Sequence, residues 1–140
     1  MAHHRATRAE IDLQAFRHNL QTLRKYLDHQ TQIMAVVKAD AYGHGAIPCA
    51  RIAIESGADY LGAGVIEEGI ELRENGLNAP ILILDSIFPN EAEDLVRYNL
   101  ATILCTQPLA QALSKEGEKQ DKMVSVHIKV DTGMNRLGIS

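Results

Sequence analysis

Hydrophobic and polar positions along this chain fall into two patterns, short unbroken apolar runs and longer stretches with a helical repeat. The runs are 33–37 (IMAVV), 60–64 (YLGAG), 80–84 (PILIL) and 101–104 (ATIL), followed by an alternating segment at 123–130 (MVSVHIKV). An apolar run without alternation is expected of a strand covered on both faces, so each run predicts a β-strand. Between the runs the period lengthens. Residues 13–27 place Leu13, Phe16, Leu20, Leu23 and Leu27 on one helical face, with Asp12 positioned as N-cap. Further helices are predicted at 46–55, closed by Ser56 and Gly57, at 67–74, stopped near Gly76, and at 90–98 and 108–116. A short strand ending near Ile11 is expected ahead of the first helix.

Predicted strands begin near residues 33, 60, 81, 101 and 123. A spacing of roughly 20–27 residues is that of consecutive βα units, a parallel sheet with right-handed crossovers. One α/β domain over residues 1–140 accounts for this. Two architectures accommodate it: a doubly wound sheet of the flavodoxin-like order, or the first five βα units of a (β/α)8 TIM-type barrel. The last predicted strand is followed only by VDTGMNRLGIS, with no helix to cover it, which favours the incomplete barrel. Such a barrel would present two unpaired strand edges, a hazard that calls for a partner or a rearrangement.

Composition narrows the function classes. Lysine and arginine number 14 and aspartate and glutamate 18, a net charge of -4 without a basic block. Nucleic acid and anionic membrane surfaces are therefore poor partners, and small molecules better ones. No transmembrane stretch or signal-peptide core is seen, so a cytoplasmic location is expected. Cys49 and Cys105 form no CxxC pair and read as small buried side chains rather than metal ligands or a redox dithiol. His3 and His4 read as solvated terminal residues, and no metal site is expected.

Candidate chemistry gathers at two strand ends. In AVVKADAYGHG, residues 35–45, Lys38 closes an apolar strand and a glycine-rich turn follows. Ligands collect at the carboxyl ends of parallel strands, and a Schiff-base lysine needs a fixed backbone and room for a flat aldehyde. A lysine in that position can equally mark where the chain meets water. Tyr42 is placed to donate its hydroxyl to a phosphate, or to pack its ring under the turn; His44 and Asp40 read as loop-orienting hydrogen-bonding groups. The turn has neither the GxxxxGK[ST] nor the GxGxxG order, so nucleotide binding is weakly supported. At the other end, the polar side of 123–130 carries Ser125, His127 and Lys129, facing either a barrel lumen near the ligand or solvent at a sheet edge. Arg136, in the glycine-flanked loop beyond, suits planar two-donor binding of a carboxylate or phenolate, with a surface salt bridge as the plainer reading.

AVVKADAYGHG followed about ninety residues later by KVDTGMNRLG resembles the N-terminal part of the alanine racemase family, and EIDLQAFRHNL, with Asn19, resembles that family's first strand and helix. The resemblance covers the whole chain but only about the first third of a member of usual length. It implies pyridoxal 5′-phosphate as cofactor, held through Lys38, which also serves as one of two proton-transfer bases. It implies that Tyr42 contacts the cofactor phosphate, that Arg136 bonds the phenolic oxygen and the substrate carboxylate, and that Lys129 matches a position carbamylated in many members. A carbamate there would replace a cation that repels Arg136 with an anion that holds it. The resemblance further implies that the opposite base is a tyrosine of the C-terminal β domain of the other subunit of a homodimer, a residue outside this sequence together with most of the phosphate cradle.

The expected activity is thus interconversion of L- and D-alanine, supplying D-alanine for peptidoglycan, with this chain a fragment inactive alone. Two alternatives stand beside it: a serine or broad-specificity amino-acid racemase of the same fold, and a non-catalytic cofactor-binding or interaction module complete at 140 residues.

Overall fold

Each apolar run becomes a strand, because its side chains find a helix-covered core on at least one face. In the computed structural model, which describes residues 7–140, the strands are β1 (Met34–Val36), β2 (Tyr60–Ala63), β3 (Ile81–Ile83), β4 (Ala101–Leu104) and β5 (Val126–Ile128). His3 and His4 lie outside the described residues. All neighbouring pairs are parallel, and the strands lie in sequence order, β1 to β5. That order chooses between the two architectures. Right-handed crossovers that always step one strand in the same direction put every helix on one face, whereas a doubly wound sheet must reverse direction. The sheet is the wall of a barrel, open between β5 and β1.

The helices are α1 (Leu13–Tyr26), the short α2 (Lys38–Gly43), α3 (Ala46–Glu55), α4 (Ile66–Glu74), α5 (Ala92–Arg97) with a 3₁₀ turn at Pro89–Glu91 before it, and α6 (Gln107–Lys119). Asp12 caps α1 as expected, accepting from the N–H of Gln14 at 2.9 Å and of Ala15 at 3.0 Å. Leu13, Phe16, Leu20 and Leu27 rest on the core, but Leu23 is 45% exposed, because α1 is covered along one narrow stripe only.

Register separates the two faces of the sheet, since paired residues of parallel strands point the same way. Ala35, Leu61 and Ile81 form one row and Ala63, Ile83 and Thr102 the next, both toward the helices. Val36, Gly62 and Leu82 face the other way, the barrel interior. Coverage differs along the sheet. The central strand β3 is buried throughout, whereas in β1 Ala35 is buried and Val36 is 38% exposed. The run IMAVV is therefore not covered on both faces: β1 is an edge, and no strand opposite supplies side chains to its inner face.

Two further expectations are corrected. None of the described residues before Leu13 is in a strand; Glu10 and Ile11 instead border a cleft of about 540 Å³ beside β1, without pairing to it. The last strand spans three residues rather than eight, and all three are exposed, with Ile128 at 68%. As an edge strand it is paired only with β4 among the described residues. Among the described residues no helix is long and apolar enough to cross a membrane.

Candidate active site

The chain leaves β1 through Val37 and then turns with the unusual hand. Ala39, Asp40, Ala41 and Tyr42 all lie near φ +50 to +57 and ψ +35 to +51, so α2 is one turn of left-handed helix. L-residues pay roughly 1–2 kcal/mol each for that conformation. Four in succession persist only where the surroundings over-determine them.

Hydrogen bonds do so here. The Val37 N–H bonds the Gly62 carbonyl of β2 at 2.8 Å, and the Ala41 N–H bonds the Val37 carbonyl at 2.9 Å. At the far end the Asp40 carbonyl accepts from Gly45 N–H at 2.9 Å, while its carboxylate Oδ1 accepts from Ala46 N–H at 2.7 Å and so caps α3. His44 Nδ1 lies 2.8 Å from the Ala41 carbonyl oxygen. Asp40 and His44 are thus the loop-orienting groups expected of them. The turn itself is built from alanine, aspartate and tyrosine, with Gly43 and Gly45 only at its exit.

Two clefts flank this turn. One, of about 330 Å³, lies on the inner face at the carboxyl ends of β1 to β3, and Lys38, Gly64, Leu84, Asp85 and Arg136 are among its lining residues. Lys38 and Arg136, almost a hundred residues apart in sequence, are brought together there. The second cleft, beside β1, is lined by Ala41, Tyr42 and His44 together with Phe16 and Cys49. Tyr42 is 61% exposed and belongs to this neighbouring space, not to the cleft of Lys38.

Arg136 is carried by a loop closed on itself. Asp131 N–H bonds the Ile139 carbonyl at 2.9 Å and Ile139 N–H bonds the Lys129 carbonyl at 2.8 Å. Asp131 Oδ1 accepts from the N–H of Asn135 at 3.0 Å and of Gly133 at 2.9 Å. These bonds, that of Asn135 foremost, hold the Asp131 carboxyl below its ordinary pKa. Gly138, at φ +137, closes the loop; a Cβ there would lie 2.5 Å from Asp131 N.

Lys129 is half-buried, and its N–H bonds the Leu104 carbonyl at 3.0 Å. His127 pairs with Ile103, so alternation sets Lys129 on the inner face of what is nonetheless the edge strand. It does not line the cleft of Lys38 and Arg136. Of the cysteines, Cys49 is buried, and burial together with Asp40 pushes its thiol pKa up; Cys105 is only half-buried, against the expectation, because β4 ends there and its neighbour β5 leaves the site open. Among the described residues no cluster of histidine, cysteine and acidic side chains could hold a metal ion.

Two residues escaped the sequence reading. A Cβ at position 64 would lie 3.1 Å from Glu68 Oε2 and 3.3 Å from Lys38 Cβ, so glycine there leaves room for both side chains at the end of β2. Glu68 bonds the N–H of Ala39 at 2.8 Å and of Gly64 at 2.7 Å. The tandem Glu67-Glu68 in the first turn of α4 is visible in sequence, but which of the two turns inward is not.

Residues 11–140 match the family model described as alanine racemase, N-terminal domain. The chain is 47% identical over 135 residues to the alanine racemase of Symbiobacterium thermophilum, an alignment covering 96% of this chain and 36% of that protein. Among solved structures, an alanine racemase of Clostridium difficile 630 superposes with a TM-score of 0.89 at 35% identity over 93% of this chain and 34% of that one. The alanine racemase of E. faecalis does so with a TM-score of 0.86 at 40% identity, over 92% and 35%. The chain spans about a third of the length of the curated relatives it matches. By the family match over nearly its whole length and by the barrel wall it shares with these structures, the chain belongs to the alanine racemase N-terminal domain family.

Proposed function

We propose that this chain carries the lysine side of an alanine racemase active site working with pyridoxal 5′-phosphate. The observation that supports the reading is the inner-face cleft at the strand ends, which Lys38 and Arg136 line together. The residues present fit the cofactor. An amine and a guanidinium suit an aldehyde and an anionic oxygen, and position 64 lacks the Cβ that would fill the floor beneath Lys38. When bound, the cofactor supplies the electron sink that makes the substrate α-proton acidic enough to leave.

Lys38 Nζ would hold the cofactor and, once freed by the incoming substrate amine, would move a proton to or from the substrate α-carbon on one face. Its aim is set by the left-handed turn, since the lysine stem emerges where that turn begins. Arg136, which lines the same cleft, would bind the substrate carboxylate and the cofactor phenolic oxygen. Tyr42, which borders the neighbouring cleft, would donate its hydroxyl to a phosphate reaching past the turn. Lys129, on the inner face, would become an anion if its neutral amine took up carbon dioxide with loss of a proton, and would then attract Arg136 instead of repelling it. Inversion needs a second base on the opposite face, which we assign to the partner subunit of a homodimer.

The test is reductive trapping. Purified chain is mixed with pyridoxal phosphate, its absorbance followed, and the adduct fixed with borohydride and located by peptide mapping. Label concentrated on Lys38, and lost in Lys38→Arg, is the expected result. Label spread over surface lysines, with Lys38 bare in a folded sample, overturns the assignment. An absorbance change on adding alanine but not serine supports alanine as substrate; the reverse supports the serine alternative.

A further inference from the structure

We propose that Glu68 is a positioning residue for Lys38, clamping the peptide that follows the lysine to the end of β2. The inference rests on the reading of Lys38 as the cofactor lysine. Glu67 and Glu68 stand side by side in the first turn of α4, where a negative charge complements the helix dipole. Glu67 is exposed and could do that alone. Glu68 is half-buried and turned toward the strand ends.

Its two oxygens have separate tasks. Oε1 accepts the Ala39 N–H at 2.8 Å, and that N–H belongs to the peptide joining Lys38 to Ala39. Oε2 accepts the Gly64 N–H at 2.7 Å, beside the place where a Cβ at 64 would come within 3.3 Å of Lys38 Cβ. One carboxylate therefore ties the exits of β1 and β2 together around the lysine stem.

The backbone explains the need. A helical turn of either hand leaves its first N–H groups without internal acceptors. In α2 the first internal bond is made by Ala41, to Val37, so the Ala39 donor must be satisfied from outside. Ala39 is also the first of the four left-handed residues. Without the clamp, that peptide can rotate toward the right-handed region that L-residues prefer, and the lysine rotates with it. Asp40 pins the other end of the turn through Ala46, so the two carboxylates hold it at both ends.

The experiment compares the wild-type chain with Glu68→Ala, Glu68→Gln and Glu67→Ala, each confirmed folded by circular dichroism. Two quantities are read: exchange of the Ala39 amide proton by NMR, and borohydride-trapped pyridoxal phosphate at Lys38 relative to the other lysines. Charge-assisted bonds of this kind predict, for Glu68→Ala, Ala39 exchange faster and Lys38 labelling lower by on the order of tenfold. Glu68→Gln keeps one acceptor oxygen and falls between, while Glu67→Ala matches wild type. Lys38 labelling at the wild-type level in Glu68→Ala overturns the proposal, as does unchanged Ala39 exchange or an equal loss in Glu67→Ala. If the wild-type chain itself yields no adduct at Lys38, the cofactor reading has failed, and the Ala39 amide alone decides whether the clamp exists. Should Glu68→Ala not fold, Glu68→Gln carries both measurements.

Discussion

Replacing alanine by glycine should stabilise this protein at one position and destabilise it at another, with the sign set by the hand of the backbone. Ala39 and Ala15 are both exposed alanines in helical turns, Ala39 at φ +50 in the left-handed α2 and Ala15 in the first part of the right-handed α1. In a right-handed helix glycine costs roughly 0.5–1 kcal/mol relative to alanine, through the freedom it gains when unfolded. Ala15→Gly should lose about that much. At Ala39 the same entropic cost is opposed by release of the left-handed penalty, roughly 1–2 kcal/mol for an L-residue. The net is a stabilisation of about 0.5–1 kcal/mol. For a chain of this size that corresponds to a melting temperature higher by roughly 2–4 °C, with Ala15→Gly lower by a similar amount. Thermal unfolding followed by circular dichroism, with urea titration to check that the m-value is unchanged, measures both. A loss of stability in Ala39→Gly equal to that in Ala15→Gly would refute the left-handed turn and the account of how Lys38 is aimed.

Gly138→Ala should open the loop that carries Arg136, since its Cβ would fall 2.5 Å from Asp131 N and 2.8 Å from Val130 C; loss of protection at the Asp131 and Ile139 amides, at a cost of about 1–3 kcal/mol, is the expected exchange result. The Asp131 carboxyl is held below its ordinary pKa by the N–H groups of Asn135 and Gly133. Its contribution is therefore complete above the usual aspartate range, near 3.9, and is lost only as pH falls through the lower folded value; the Asn135 amide resonance should be constant at neutral pH and move in acid, and Asp131→Asn should abolish that titration. Iodoacetamide at mildly alkaline pH should modify Cys105 first. Cys49, 4% exposed and with its thiol pKa raised by burial and by Asp40, should react only on unfolding.

Periodicity alone determined the succession of elements in this protein. The extents of α3 and β4 follow directly from the apolar pattern, and the pairing of AVVKADAYGHG with KVDTGMNRLG marks the two strand ends whose residues share a cleft. These features are local: a strand or helix is written in side-chain spacing within one segment. What required the tertiary structure is everything that depends on a neighbour far along the chain. Sheet order separates a barrel wall from a doubly wound sheet, since the period of the elements is the same in both. IMAVV and PILIL look alike, yet only β3 is buried throughout, because β1 is an edge. The left-handed turn is illegible in Ala39 to Tyr42, residues that favour the opposite hand; it exists because Gly62, Glu68 and the start of α3 satisfy its backbone groups from outside. Glu68 differs from Glu67 only in the direction it faces. That direction is fixed by one step of helical rotation, 100° at 3.6 residues per turn, against the ends of β1 and β2.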